Sequence, residues 1–191
     1  MTNSVIGWTI AAVLLFWTVG AYNRLVRLRA EANSAFAAVE AELSRQVALV
    51  REDLPGPEGS QPAPLEDGAS FWSALHAAAT QLAATLSAAR AKPLEAGNIA
   101  ALSSAQDVMR NAWERAERDD AHDLAGPRLP DTVLLHRAQA LLQAHAATES
   151  FNAAVARYNA AIAQFPAVLL AWLFGFKPAR PLAQVIVPQL A

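Results

Sequence analysis

Apolar residues recur at steps of three and four along most of this 191-residue chain, which is the spacing of one face of an α-helix. The clearest run has an eleven-residue repeat and comprises Leu25, Leu28, Ala32, Phe36, Val39, Leu43, Val47, Val50 and Leu54. Eleven residues in three turns correspond to about 3.67 residues per turn, close to a straight helix. Because no Pro or Gly interrupts residues 21–54, the pattern predicts one rod-like helix that extends to Leu54.

Three further amphipathic segments follow, separated by stretches rich in Pro and Gly. Pro55–Gly68 holds 4 Pro and 3 Gly and therefore predicts a loop at the far end of the first helix. The expected helices are Phe71–Lys92 with Ser70 as its cap, Asn98–Glu117, and Thr132–Phe165 with Asp131 as its cap; Asp119–Pro130 is expected to be a turn region. The expected inward residues of the second and third helices are Phe71, Trp72, Leu75, Ala79, Leu82, Leu86, Ala89, Leu102, Ala105, Met109 and Trp113. Four amphipathic helices with modest loops are typical of an all-α fold, an elongated antiparallel four-helix bundle.

Aromatic residues repeat every seven positions near the end of the chain. Phe151, Tyr158, Phe165 and Trp172 form this series. Val155, Ile162 and Leu169 lie between them, and the same register runs back through Thr148 and Ala144 to Leu141. Because seven residues are two helical turns, these side chains should form one stripe of coiled-coil type. The pattern predicts a seam up to Phe176 that packs against partner helices.

The first 23 residues carry no charged side chain. Val5–Tyr22 is an almost unbroken apolar stretch of 18 residues, and about 18 residues of helix span roughly 27 Å, enough for the hydrocarbon core of a bilayer. Arg24, Arg27 and Arg29 follow at once. The positive-inside rule then places the N-terminus outside and the rest of the chain in the cytoplasm. A cleaved signal peptide is the competing interpretation, because Val19-Gly20-Ala21 resembles a cleavage site, but residues 1–7 have no basic region.

The apolar segment Ala167–Phe176 has 10 residues and is too short to span a membrane. Up-and-down connectivity returns the fourth helix to the bilayer surface, where Trp172, Lys177 and Arg180 join the three arginines in a basic collar. The segment either docks on lipid or completes the core of the bundle. The expected organisation is a transmembrane anchor at 1–23, a cytoplasmic bundle at 24–166 and a membrane-proximal apolar tail at 167–191.

The composition argues against most chemistry. A net charge of −2 gives no general attraction to nucleic acid, and the absence of cysteine excludes disulfides and thiol nucleophiles. The four histidines lack the Glu-x-x-His pattern of di-metal bundles, and no phosphate-binding loop or Gly-x-Ser-x-Gly is present. We therefore expect no enzymatic activity, metal, cofactor or small-molecule substrate. Asn152 and Asn159 lie beside the seam, where they either bind the backbone of a partner or fix the register of a neighbouring helix.

Several short motifs resemble the LemA family of bacterial membrane-anchored helical proteins. The N-terminal motifs are Tyr22-Asn23, Leu25-Val26 and Arg29, and the C-terminal ones are Phe151-Asn152, Tyr158-Asn159, Phe165-Pro166 and Gly175-Phe176-Lys177. They cover the anchor, the first helix and the last helix. The chain departs from the family pattern in having Phe151 where Tyr is usual, Thr148 and Glu149 where an Arg is usual, and Leu49-Val50-Arg51 where a proline is usual.

The resemblance implies a single-pass protein of the bacterial inner membrane with a cytoplasmic helical bundle. Members of the family have no established enzymatic activity or cofactor; some are tied to membrane-organising processes such as magnetosome formation, and others are encoded beside a membrane metalloprotease. We expect a structural or membrane-organising role through helix–helix and lipid contacts, with the bilayer and other copies of the chain as partners. The alternative is an adaptor that presents its bundle to a membrane protein such as a protease.

Overall fold

The fold is all-α over the part of the chain that a computed structural model describes, residues 2–54, 68–122, 129–165 and 167–184. The helices are α1 (Thr2–Asp53), α2 (Gly68–Ala91), α3 (Ala96–His122), α4 (Asp131–Ala163) and α5 (Ala167–Phe174). Most of the expected Pro55–Gly68 loop lies outside these ranges, as do residues 123–128 of the second expected turn. The helical fold class is therefore confirmed for the described residues.

The first helix is continuous from Thr2 to Asp53, across the expected boundary between anchor and bundle. At a rise of about 1.5 Å per residue it is roughly 78 Å long. Every position of the eleven-residue repeat is buried, from Leu25 to Leu54. The periodicity therefore predicted the buried face of α1 correctly, because a stripe of 3.67-residue period stays on one side of a straight helix.

Helix α1 packs between α2 and α4, and α2 also packs against α3. Contacts between α1 and α4 follow in reverse order along the two sequences: Phe36 with Phe151 at 5.5 Å between ring centroids, Arg45 with Gln143 at 2.5 Å, and Asp53 with His136 at 4.0 Å. These two helices are therefore antiparallel. The ion pair between Glu40 and Arg90, at 3.1 Å, joins α1 to α2.

The expected inward residues of α2 and α3, from Trp72 to Trp113, are buried as well. The side chain of Phe71 lies outside the described part of the chain.

Helices α3 and α4 face each other across a gap. Within the described ranges, no Cα atom of one lies within 8 Å of a Cα atom of the other. Long side chains cross the gap at one end, where Arg137 pairs with Glu117 and stacks over the Trp113 ring at 4.8 Å. One continuous apolar core still includes residues of all four long helices.

The predicted helix ends need correction. Helix α2 begins at Gly68, so Ser70 lies inside it rather than capping it. Helix α3 continues to His122, so Asp119-x-x-His122 is helical and not a turn. Asp131 is the first residue of α4 instead of its cap, because the Pro130 carbonyl already accepts the N–H groups of Val133 and Leu134, at 2.9 and 3.2 Å. Its carboxylate still suits the positive end of the helix dipole.

The seven-residue seam is correct only as far as Ile162. Ala144, Thr148, Phe151, Val155, Tyr158 and Ile162 are buried, whereas Phe165, Leu169 and Trp172 are 81%, 60% and 84% exposed. The reason is that α4 ends at Ala163 and the backbone of Gln164 is extended. A heptad stripe needs an unbroken helix, and α5 begins a new register at Ala167. Pro166, part of the break, lies outside the described residues.

Candidate functional site

The C-terminal strap, which we define as residues 176–184, belongs to no helix and lies between α3 and α4. It leaves α5 through Gly175, whose φ of 70° is the left-handed conformation that glycine adopts readily. The N–H of Phe176 donates to the carbonyl of Ala171 at 2.8 Å, which completes a Schellman motif at the end of α5. The chain therefore turns back along α4 at a defined point.

Two asparagines of α4, Asn152 and Asn159, each form a pair of hydrogen bonds with the backbone of one strap residue; we call each such pair a clasp. Asn159 Nδ2 donates to the carbonyl of Ala179 at 2.8 Å, and its Oδ1 accepts the N–H of the same residue at 2.9 Å. Asn152 makes the same pair of bonds with Leu182, at 2.9 and 2.8 Å. A carboxamide has a donor and an acceptor side by side, so it satisfies both backbone groups of one extended residue.

The spacing of the two asparagines along α4 explains which two strap residues they bind. Seven helical residues rise by about 10.5 Å, and three residues of extended chain cover about 10 Å. Asn159 and Asn152 therefore meet residues three apart in the strap, Ala179 and Leu182. The asparagines thus bind a non-helical segment of their own chain. The interpretation that they fix the register of a neighbouring helix is wrong for these bonds, and binding to the backbone of a partner stays a prediction.

Further contacts hold the strap at both ends. The Tyr158 hydroxyl donates to the carbonyl of Lys177 at 3.0 Å, and the N–H of Ala183 donates to Ser103 Oγ of α3 at 3.3 Å. Ala179 and Leu182 are buried, while Lys177, Pro178, Arg180 and Pro181 are exposed. Burial raises the pKa of the Tyr158 phenol above its ordinary value, and the charge of Arg29 acts in the opposite direction.

A cavity of about 350 Å³ lies in the same groove. Trp113, Met109, Arg137 and Leu141 line it, with Ala183 and Gln184 at its edge. Two more carboxamides border the cavity, and within the described ranges their buried atoms Gln46 Nε2 and Gln106 Oε1 have no hydrogen-bond partner. The groove as a whole is thus lined by four side-chain amides, each able to pair with peptide backbone.

Helix α5 has one buried and one exposed apolar face. Leu170 and Ala171 point inward, whereas Leu169, Trp172, Leu173 and Phe174 are more than half exposed. The segment packs against α1, with the Tyr22 ring 5.0 Å from that of Phe174 and 6.0 Å from that of Phe176. One face of α5 therefore contributes to the core, as one interpretation of Ala167–Phe176 held, while Leu169, Trp172 and Leu173 on the other face are exposed; whether that face docks on lipid stays a prediction.

The basic residues expected at the membrane surface are exposed, as Arg24, Arg27, Arg29, Lys177 and Arg180 all are. Arg27 pairs with Glu31 at 3.7 Å, and the Arg29 guanidinium lies 5.9 Å from the centroid of the Phe176 ring. Of the basic residues, Arg29 and Lys177 thus lie where α1, α5 and the start of the strap meet. The collar stays a prediction.

The family-motif residues divide into three groups. Asn152, Tyr158, Asn159, Gly175 and Phe176 meet at the strap. Phe151 lies in the core and Tyr22 against α5. Asn23 and Phe165 are exposed.

Sequence reasoning missed Ser103, Ala179 and Leu182, because residues 167–191 were treated as one apolar tail. The available signal was the match between two asparagines seven apart and two small or aliphatic residues three apart in a Pro-containing segment.

The described residues contain no group of three or more His, Asp or Glu side chains that could hold a metal ion. Comparison of the chain with protein-family models, with curated proteins and with solved structures gave no match.

Proposed function

We propose that this chain is a non-enzymatic, LemA-like structural protein, anchored in the bacterial inner membrane by the N-terminal part of α1. Helices α1 to α4 then form an elongated antiparallel bundle in the cytoplasm, and α5 rests on the inner leaflet. The observation that carries the proposal is the position of the exposed apolar face of α5, directly beside the end of the apolar half of α1 and among basic residues.

The anchor is supported by length, composition and exposure. Among the described residues, one helix, Ile6–Asp53 within α1, contains a stretch long and apolar enough to cross a membrane. Bulky side chains along this stretch are exposed, including Trp8 at 78% and Phe16 at 86%. An unpartnered apolar helix surface is unfavourable in water but suits the hydrocarbon of a bilayer.

The lipid contact of α5 is supported by its location and chemistry. Trp172 and Leu173 are 84% and 66% exposed, and burying a large apolar side chain contributes about 1.5–3 kcal/mol. Lys177 is exposed three residues after Phe174 and can approach lipid phosphates. Apolar side chains next to basic ones are the composition of interfacial segments.

The full chain in vesicles that contain anionic lipid tests this proposal. A polarity-sensitive fluorophore on Trp172→Cys should be quenched by spin-labelled lipids and shielded from an aqueous quencher. The matched control is Gln139→Cys, an exposed position in α4 about 36 Å from the end of that helix by helical rise. Equal aqueous quenching at both positions would show that α5 does not touch lipid. Release of the protein from the membrane at alkaline pH would contradict the proposed transmembrane anchor.

An adaptor role is the second candidate, and the groove between α3 and α4 is the observation that favours it. Its cavity, lined by Trp113, Arg137 and Leu141, offers a local binding surface away from the end of α4 that adjoins α5. A lateral assembly predicts contacts between copies, whereas an adaptor remains monomeric and binds a different membrane protein. The state of association of the full chain in a mild detergent therefore separates the two roles.

A further inference from the structure

We propose that the groove between α3 and α4 is a peptide-binding site whose ligand is the strap of a second copy of this chain, taken in exchange for its own. The inference rests on the proposed membrane anchoring and specifies how copies of the protein associate. It starts from the contacts of the strap, whose residues after Phe176 are held by hydrogen bonds to their backbone and by two buried side chains.

The chemistry of the groove defines the ligand. Asn152 and Asn159 bind the backbone of an extended chain at two residues three apart, and any sequence offers those groups. Selectivity comes from burial at the two clasped positions, where the strap places Ala179 and Leu182. The groove therefore accepts an extended segment with a small residue and, three positions on, an aliphatic one. The strap of an identical chain meets each of these requirements.

Exchange preserves the contacts that hold the strap in place. The bonds to Asn152, Asn159, Tyr158 and Ser103 are the same whether the strap belongs to the same chain or to its neighbour. Swapping an identical element between copies is a low-cost route to association for this reason. The free energy of exchange then depends mainly on the hinge and on the local concentration of chains.

The hinge and the anchor favour exchange. Gly175 joins α5 to the strap, is exposed, and has nothing within 4 Å of where a Cβ would lie, so the strap can leave α5 in other directions. An anchored protein is confined to one plane, so the strap of one copy lies at the same height as the groove of the next. This raises the effective concentration of the neighbouring strap toward that of the tethered one.

The groove offers two further groups that can pair with a peptide backbone. Gln46 Nε2 is a donor and Gln106 Oε1 an acceptor, both are buried at the cavity that Ala183 and Gln184 border, and within the described ranges neither has a partner. A donor and an acceptor of this kind match the two backbone groups of a peptide. The same mode of recognition therefore extends along the groove.

Pairs of engineered cysteines in the full chain test the exchange, because the natural sequence contains no cysteine. One tagged chain carries Ser103→Cys and a differently tagged chain carries Ala183→Cys; the Ala183 nitrogen lies 3.3 Å from Ser103 Oγ, so the two positions are neighbours across the groove. After co-expression and mild oxidation of intact membranes, we expect a disulfide-linked heterodimer. The yield of this heterodimer should be several times the yield of a control pair in which the second chain carries Ala153→Cys, an exposed position on α4.

Two further variants show that the link depends on the groove. Asn152→Ala with Asn159→Ala in the Ser103→Cys chain should reduce the heterodimer to the control level. Leu182→Asp in the Ala183→Cys chain should do the same while leaving the receiving groove unchanged, so a folding defect in the first variant does not decide the result.

A chain with both Ser103→Cys and Ala183→Cys reports the unexchanged state through an internal disulfide. If this internal disulfide forms and the heterodimer stays at the control level, the strap remains with its own chain and the inference is wrong. If no internal disulfide forms, the groove does not hold the strap and the inference is also wrong. Recovery of the protein in the membrane fraction in either case leaves the proposed anchoring intact, whereas recovery in the soluble fraction contradicts the anchoring itself.

Discussion

At the scale of single residues, the asparagine side chain is the feature that decides the arrangement of the C-terminal part. Asn152 and Asn159 are half-buried, and each satisfies a backbone donor and a backbone acceptor that would otherwise be desolvated between two helices. An unsatisfied buried group is strongly unfavourable, so the two asparagines make a non-helical segment compatible with this position.

Replacing one clasp should release the strap locally. In the full chain, Asn152→Ala removes both bonds to Leu182 and should destabilise the closed strap by about 1–3 kcal/mol. Hydrogen exchange at the Leu182 amide should accelerate accordingly. Asn111→Ala, the same change at an exposed position of α3, is the control and should leave this amide unchanged. Equal exchange rates in the two variants would contradict the role of the clasp.

Tyr158 should make the stability of the strap depend on pH. The pKa of its phenol is raised by burial, so the folded state holds the proton more tightly than the unfolded state, whose pKa is about 10. Folding stability should therefore fall as the pH rises above that value, since the unfolded state then binds fewer protons. Tyr158→Phe removes this contribution, and denaturation curves of the two proteins should converge at alkaline pH. A constant difference between them would contradict the argument.

At the scale of secondary-structure elements, the break between α4 and α5 sets the direction of every side chain after Ala163. The extended backbone of Gln164 separates two helices of different register. Two phenylalanines of the same heptad series, Phe151 and Phe165, consequently lie in the core and at the surface. The short α5 then presents apolar residues on two faces, one toward the core and one outward.

These two phenylalanines form a matched pair for mutagenesis. Phe151 is fully buried and its ring packs against Phe36, so Phe151→Ala should destabilise the protein by about 3–5 kcal/mol. Phe165 is 81% exposed, and Phe165→Ala should change the stability by less than about 0.5 kcal/mol. Thermal denaturation of the detergent-solubilised chain measures both. Similar losses for the two variants would mean that the seam continues past α4.

At the scale of the whole molecule, the strap takes the place that direct packing of α3 on α4 would occupy. Helix α1 contacts α2 and α4, and α2 contacts α3, so the described residues form an open series of four helices that residues 176–184 close. The strap follows directly after α5, the helix that we propose to touch lipid. The α5 helix and the strap are thus adjacent in the chain, joined at Gly175, and Phe176 at the start of the strap also bonds to α5 and packs against α1.

The proposed topology can be checked with single cysteines in intact cells. Ala101 is exposed on α3, and Ala101→Cys should react with a membrane-impermeant maleimide only after the cells are opened. Thr2→Cys should react in intact cells, because the arginines that follow the apolar stretch favour the cytoplasmic side. Labelling of Ala101→Cys in intact cells would reverse the topology, and failure of Thr2→Cys to label in them would contradict an external N-terminus.

The sequence alone determined the elements whose information is local. The stripe from Leu25 to Leu54 and the inward residues of α2 and α3 follow from periodicity, since a helix places every third or fourth residue on the same side whatever it packs against. The apolar stretch before Arg24 is equally plain. Only the tertiary structure decided where α4 stops and which groups Asn152 and Asn159 bind. Those partners lie 30 and 20 residues away along the chain. Because a carboxamide can bind any accessible backbone, it is the gap left between the packed helices α3 and α4 that determines that these asparagines bind the strap.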